Sequence, residues 1–167
     1  MLAEMEIHDL EFRSPAPADL AWIVHRHGTV IAAEFGWNAR FEATIAEILG
    51  QFGVSPGRDA GWVAVQGGQI LGSIFVMPES ETVARLRVLY VEPAARGLGL
   101  GKQLVDMAVR FARDAGYQKA VLWTHEFQQA ARKVYADAGF RLAAWENTVS
   151  FGVAVVSETW ELTLRST

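Results

Sequence analysis

The stretch VEPAARGLGLGKQLV, from Val91 to Val105, decides how the chain is read. Gly97, Gly99 and Gly101 stand at alternate positions between Arg96 and an amphipathic run. Glycine loses more backbone freedom on folding than any other residue, so a cluster of them in an ordered place needs a cause. Upstream, TVARLRVLYVEP reads as a long strand. Downstream, GKQLVDMAVRFARDAG puts Leu104, Val105, Ala108, Phe111 and Ala112 on one helical face and ends at Gly116. The glycines therefore lie where a strand gives way to a helix. There the first backbone N–H groups have no intrahelical partner and the helix dipole adds about half a positive charge. With no side chains in the way an anion can reach those groups, and a phosphate or pyrophosphate is the natural occupant.

Two common phosphate loops do not fit. GxxxxGK[ST] fails because position 96 is Arg and Lys102 is followed by Gln103. GxGxxG fails on spacing, and it belongs after an early parallel strand rather than the third strand of an antiparallel meander. What fits is Arg-x-x-Gly-x-Gly at Arg96, Gly99 and Gly101.

Working outward, WVAVQ and QILGSIFVM flank Gly67-Gly68, a two-residue hairpin signal. Before them, EIHDLEFRS predicts a short strand, followed by a turn at Pro15 and Pro17 and a helix that Asp19 favours in its first turn. Gly28 is expected to interrupt that helix, leaving TVIAAEFGW as a second helical piece ending at Gly36. NARFEATIAEILGQF carries Phe41, Ile45, Ile48, Leu49 and Phe52 at helical spacing, with Asn38 as N-cap. After the glycine loop come a strand KAVLWT, a helix QQAARKVYADAG, a strand FRLAAW, a loop ENTVSFG and a closing strand VAVVSETWELTL. The segment 83–124 is expected to form a right-handed parallel crossover. The fold class is a mixed α/β sheet, mostly antiparallel, with helices on both faces. One domain over 1–167 is expected, with 1–6 a loose N-terminal tail.

The 167 residues are 51% hydrophobic and 20% charged, the profile of a globular chain able to bury a core. A net charge of -4 argues against broad binding to nucleic acid. The absence of cysteine removes disulfides, thiol nucleophiles and thiolate metal sites. MLAEMEIHDLEF lacks an apolar core for a secretory signal, and no uncharged apolar run reaches the ~18 residues of a membrane span. A cytoplasmic protein with no membrane partner is the expectation.

On the loop, on the strand ending Leu89-Tyr90-Val91-Glu92-Pro93, and on AARKVYADAGFR with Tyr135 and Gly139-Phe140, the chain resembles the GCN5-related N-acetyltransferase (GNAT) family. The resemblance covers essentially the whole chain. LRVLYVEPAARGLGLGKQLV, FARDAGY, LWT and SFG…ETWEL look most like the acetyltransferase domains fused to MarR-type regulators. The chain as given leaves no room upstream for a winged-helix domain, so no DNA-binding role is carried over.

The resemblance implies acetyl-CoA as cosubstrate, a primary amine of a small molecule or amino terminus as acceptor, and no metal. It implies that the backbone around Leu89, Tyr90 and Val91 pairs with the pantetheine arm at a strand edge left open by splaying from KAVLWT. Arg96, Gly97, Leu98, Gly99, Leu100, Gly101 and Lys102 would cradle the pyrophosphate, Arg96 and Lys102 adding charge. Tyr135 is the implied general acid to the departing CoA thiolate, against the plainer reading of a tyrosine capping the core. Glu34 is the candidate base, with Glu81, Glu126, Glu146, Glu158 and water as alternatives. His27 would share a face with Glu34 only if one helix ran through Gly28, which the glycine argues against. Two other functions stay open: an acyl-CoA-binding sensor with little turnover, and the same chemistry with another acyl donor.

Arg85 and Arg87 share one face of the third long strand. If that face meets the acceptor, the acceptor carries an anion; otherwise the arginines pair with nearby glutamates. His25-x-His27 points its rings apart, His125-Glu126 lacks the second His of HExxH, and no GxSxG occurs. Trp22, Trp37, Trp62, Trp123, Trp145 and Trp160 are assigned to core and groove walls, and the apolar closing strand to pairing with another subunit.

Overall fold

The computed structural model describes residues 6–165. Seven strands form one sheet: β1 Glu11–Arg13, β2 Ala60–Gln66, β3 Gln69–Pro78, β4 Val83–Val91, β5 Lys119–His125, β6 Arg141–Ser150 and β7 Val153–Thr163. Their order across the sheet is β1-β2-β3-β4-β5-β7-β6. Every neighbouring pair is antiparallel except β4–β5, the parallel pair that α4 (Leu100–Asp114) connects. Gly67 and Gly68 turn the β2–β3 hairpin with φ of 57° and 78°, the left-handed conformations of a tight primed turn.

The period-2 alternation sorts the sheet's side chains between two cores. Val63 and Phe75 face one side, under α1 (Pro17–Arg26) and α3 (Arg40–Leu49), with Ile23, Phe41, Ile45 and Leu49. Ala64, Ile74 and Val76 face the other, under α4 and α5 (Gln129–Asp137), with Leu100, Leu104, Val105, Ala108 and Phe140. Helix α4 sits so close to the sheet at Gly72 that a Cβ there would lie 2.8 Å from the Tyr90 carbonyl oxygen and 3.1 Å from Leu100 and Leu104. Gly116 (φ 91°) and Gly139 (φ 99°) end α4 and α5 as left-handed caps.

Pro17 is the first residue of α1 rather than a barrier to it, a position where its missing N–H costs nothing. Asp19 accepts from the Ala16 N–H at 2.7 Å and closes the first turn. The N-cap of α3 is Ala39 rather than the expected Asn38, whose side-chain oxygen instead accepts from the Arg40 N–H at 3.0 Å in the turn before the helix.

Three further expectations are corrected. Gly28 does not interrupt the N-terminal helix: α1 continues through a π-helical turn, His27–Ile31, into α2, Ala32–Phe35. The Ala32 N–H reaches back to His27 O, five residues away, so the chain absorbs one extra residue without breaking. A Cβ at Gly28 would meet the Glu42 side chain of α3, whose carboxylate would have to swing aside. ENTVSFG is not a loop, since β6 runs on to Ser150 and only Phe151 and Gly152, both left-handed, make the turn. The closing strand β7 is not an edge; it lies between β5 and β6 with Trp160 buried, and the free edge belongs to β6. The loose tail assigned to 1–6 falls on residues outside those described, except Glu6, whose carbonyl accepts from Gln66 Nε2 at 3.1 Å.

Candidate active site

Strand β4 is paired along most of its length with β3, but with β5 only over Val83–Arg85 against Lys119–Val121. Beyond Arg85 the two strands part. A bulge in β4 accompanies the parting: Ser73 faces Tyr90 while Phe75 faces Arg87, so β4 carries one residue more than β3. Val88 takes up the excess with φ 54°, a conformation that costs a β-branched residue on the order of 1–3 kcal/mol and is held by its surroundings. Ser73 Oγ donates to the Val88 carbonyl at 3.2 Å. A bulge bends its strand, which here opens the edge of β4 from Leu86 to Val91.

The opening contains a cavity of about 210 Å³. One wall is β4 from Arg85 to Leu89, the opposite wall is Trp123, Thr124 and His125 of β5 with Gln128 and Tyr135, and the floor is His27, Ile31, Trp37, Phe41, Ile45 and Ile48. Leu89 lies on this wall as expected, whereas Tyr90 is buried, its ring edge-on to Trp22 and 5.0 Å from His27.

At the far end of β4 the chain passes through a short 3-10 turn, Pro93–Ala95, into the glycine loop. Gly97 and Gly99 have φ of 79° and 84°. A Cβ at either would meet nothing within 4 Å, so the protein itself requires these glycines for their conformation and not for clearance. Gly101 is helical, and a Cβ there would lie 3.7 Å from Val134 and 3.8 Å from Val91, an ordinary contact. The first bond of α4 runs from Gln103 N–H to Gly99 O, and among the described residues the N–H groups from Gly97 to Lys102 have no backbone acceptor. Leu100 is buried in the core while Leu98 stays exposed.

The loop's charges are already partnered. Arg96 pairs with Glu34 at 3.0 Å and donates from Nε to the Val91 carbonyl, and Lys102 pairs with Asp106 at 3.0 Å. These pairs are exposed and weakly held, so an incoming anion can displace the carboxylates.

Tyr135 is 7% exposed, lines the cavity, and makes no hydrogen bond within the protein among the described residues. Burial raises its pKa above the ordinary value of 10.0, which keeps the phenol protonated at physiological pH. Glu34 does not line the cavity; it lies over the loop with Arg96. Although one helix does run through Gly28, the π turn separates the faces, so His27 is buried while Glu34 is exposed. Glu81, Glu126 and Glu146 are exposed away from the cavity, and Glu158 is buried in a bond pair with Arg132 and Trp160 Nε1.

No carboxylate lines the cavity; its titratable side chains are His27, Arg85, Arg87, His125 and Tyr135. His27 Nδ1 lies 2.8 Å from the Ile23 carbonyl, and burial lowers its pKa to about 4. His125 sits between Gln128 Oε1 at 2.9 Å and Ser150 Oγ at 3.3 Å. Sequence reasoning weighed His125 only as part of a metal motif, and His27 as a metal ligand or as sharing a face with Glu34. Their place at the opening follows from the splay, which no local pattern announces. Among the described residues no group of three or more His, Asp or Glu is arranged to hold a metal, and no helix is long and apolar enough to cross a membrane.

Comparison with known proteins agrees with this geometry. N-acetyltransferase family 8 member 2 of Rattus norvegicus is 38% identical over 85 residues, 48% of this chain and 38% of that protein. The chain thus spans about two fifths of that relative's length. The uncharacterized N-acetyltransferase YjgM of Escherichia coli (strain K12) is 32% identical over 117 residues, 66% of this chain and 70% of that one. In fold, an acetyltransferase from Salmonella typhimurium solved with its cofactor acetyl-CoA superposes with a TM-score of 0.76 at 19% identity, covering 96% of both chains. The model of the acetyltransferase (GNAT) family matches residues 6–140, and the chain belongs to that family.

Proposed function

We propose that the protein is an acetyl-CoA-dependent N-acetyltransferase working by direct attack in a ternary complex. The observation that carries this reading is the coincidence at one place of an open β4 edge, a loop of unpartnered N–H groups and the Tyr135 phenol. The N–H groups from Gly97 to Lys102 suit the pyrophosphate, and the edge from Leu89 to Val91 suits the amide-bearing pantetheine arm. The thioester then lies in the cavity beside Tyr135. The amine nitrogen attacks the thioester carbonyl carbon, the C–N bond forms, and the C–S bond breaks with its electron pair leaving on sulfur. Tyr135 donates its hydroxyl hydrogen to that sulfur.

The amine must also lose a proton. Glu34 is poorly placed for this, being paired with Arg96 outside the cavity. His27 has a pKa near 4 and is a weak acceptor. We therefore assign the role to His125, whose ring is oriented by Gln128 and Ser150.

Residues 1–167 are read as one catalytic domain, most like the acetyltransferase domains fused to MarR-type regulators, acting in the cytoplasm. A homodimer, if formed, would use the free β6 edge with its exposed Trp145. Titration calorimetry with acetyl-CoA and with CoA, followed by thiol release with a panel of amines, tests the activity. Micromolar binding with amine-dependent thiol release supports it. Binding without turnover favours an acyl-CoA sensor, and no binding of either ligand overturns both readings.

A further inference from the structure

The cavity presents several donors, and no carboxylate of the described residues lines it. Arg85 and Arg87, two residues apart on one face of β4, both line it. The only carboxylate within 4 Å of Arg85 is Glu79, at 3.8 Å and itself 41% exposed; Arg87 has none among the described residues. Arg85 Nε is buried without a hydrogen-bond partner, and so is Nε1 of Trp37 on the cavity floor. Buried donors without partners are costly and rare in native structures. The wall's side-chain acceptor, Gln128 Oε1, is already engaged by Thr124 and His125. The guanidinium of Arg85 lies over the Trp123 ring, 3.1 Å from its centroid, which fixes its plane and leaves its edge for a planar partner. Around these groups the lining is apolar: Ile31, Phe41, Ile45 and Ile48.

Resting on the acetyltransferase reading, we propose that the acceptor is a free amino acid with an apolar side chain, its carboxylate held by Arg85 and Arg87. The two guanidiniums supply a forked match to a carboxylate. The same charges repel an acceptor that brings only cations, so a polyamine is disfavoured. An amino acid brings one carboxylate with its amine, and its side chain meets the isoleucine and phenylalanine wall.

The test measures thiol release at saturating acetyl-CoA for leucine, methionine and phenylalanine, for their decarboxylated amines, for spermidine and for a short peptide. The expected result is a kcat/KM at least about 100-fold higher for each amino acid than for its decarboxylated partner. Arg87→Met should remove most of that ratio by raising KM, and Arg87→Lys should restore part of it. Calorimetry with the amino acids in the presence of CoA supplies a readout independent of turnover, and Arg85→Gln serves if Arg87→Met does not fold. Preference for the decarboxylated amine, spermidine or the peptide overturns the proposal, as does an unchanged ratio in both variants. So does the absence of both turnover and binding for every amino acid. If acetyl-CoA binds in those cases, only the acceptor class has failed; if it does not, the acetyltransferase reading has failed with it.

Discussion

Replacing Tyr135 with Phe removes one oxygen from a buried ring that has no protein hydrogen-bond partner. No contact within the fold depends on that atom, and the edge-on packing against Phe140, 6.1 Å between centroids, needs only the ring. The unfolding free energy should therefore change by less than about 1 kcal/mol. For a chain of this size that is a shift in Tm of no more than about 2–4 °C. Turnover should respond very differently. General acids contribute about a hundred- to ten-thousand-fold, and the low end applies when the leaving group is a thiolate, already a tolerable anion. A fall in kcat of about 100-fold corresponds to about 2.7 kcal/mol of transition-state stabilisation. Acetyl-CoA affinity should stay the same. Thiol release under saturating substrates, calorimetric titration and a thermal melt on the same preparation give the three numbers. An unchanged kcat refutes the acid role, and a large loss of stability would mean that the hydroxyl has a structural partner. Because burial raises the phenol's pKa, no loss of activity assignable to this residue is expected as pH rises toward 10.

Gly101→Ala should fold normally, since the added Cβ makes only ordinary contacts, yet weaken acetyl-CoA about tenfold by narrowing the approach to the loop; calorimetry that finds wild-type affinity removes the loop from the binding site. Glu34→Gln frees Arg96, so acetyl-CoA should bind about two- to fivefold more tightly, in line with the 0.2–1 kcal/mol of an exposed pair; a 100-fold drop in kcat would instead restore Glu34 as the base. His125→Gln should lower kcat at least about tenfold, with acetyl-CoA affinity unchanged, and an unchanged kcat removes His125 from the role of base. For His27 the folded pKa lies near 4 and the unfolded one near 6.5, so its contribution to stability is complete above about pH 6.5 and declines as pH falls through about 4. Up to about 3 kcal/mol is at stake, and His27→Gln should show a shallower fall in Tm between pH 6.5 and 5 than the parent.

The sequence carried the sheet and the loop because both are written in local patterns. Gly67-Gly68 marks one hairpin, alternation marks β2 to β4, and Gly116 and Gly139 stop their helices. Tyr135 was legible by its spacing to Gly139-Phe140, which fixes it at the end of α5. Gly28 misled because a glycine reads locally as a helix breaker, whereas the π turn that carries the helix through it has no local signature. The pairing of Glu34 with Arg96 spans 62 residues and has no local signature, so its place over the loop and outside the cavity lining was not legible. His125 and Arg85 were visible as residues, but not as lining of one cavity. That cavity opens where β4 leaves β5, beside the bulge at Val88, whose left-handed valine defies the usual preference of its residue type.

The three-residue seam between β4 and β5 has one more consequence. Among the described residues it is the sheet's only join between the four-stranded leaf β1–β4 and the three-stranded leaf β5–β7–β6, so the sheet resembles a book held by a short length of binding. If the pantetheine arm lies along the open edge, it lengthens that binding, and the cosubstrate becomes a temporary strand. A ligand at a hundred times its Kd adds about 2.7 kcal/mol to folding stability, here acting across a seam of three paired residues. Amide exchange from Leu86 to Val91 and from Leu122 to His125 should then slow together on loading and quicken together on release. Each catalytic cycle would stiffen and relax the whole sheet, making the loaded state the more cooperative object.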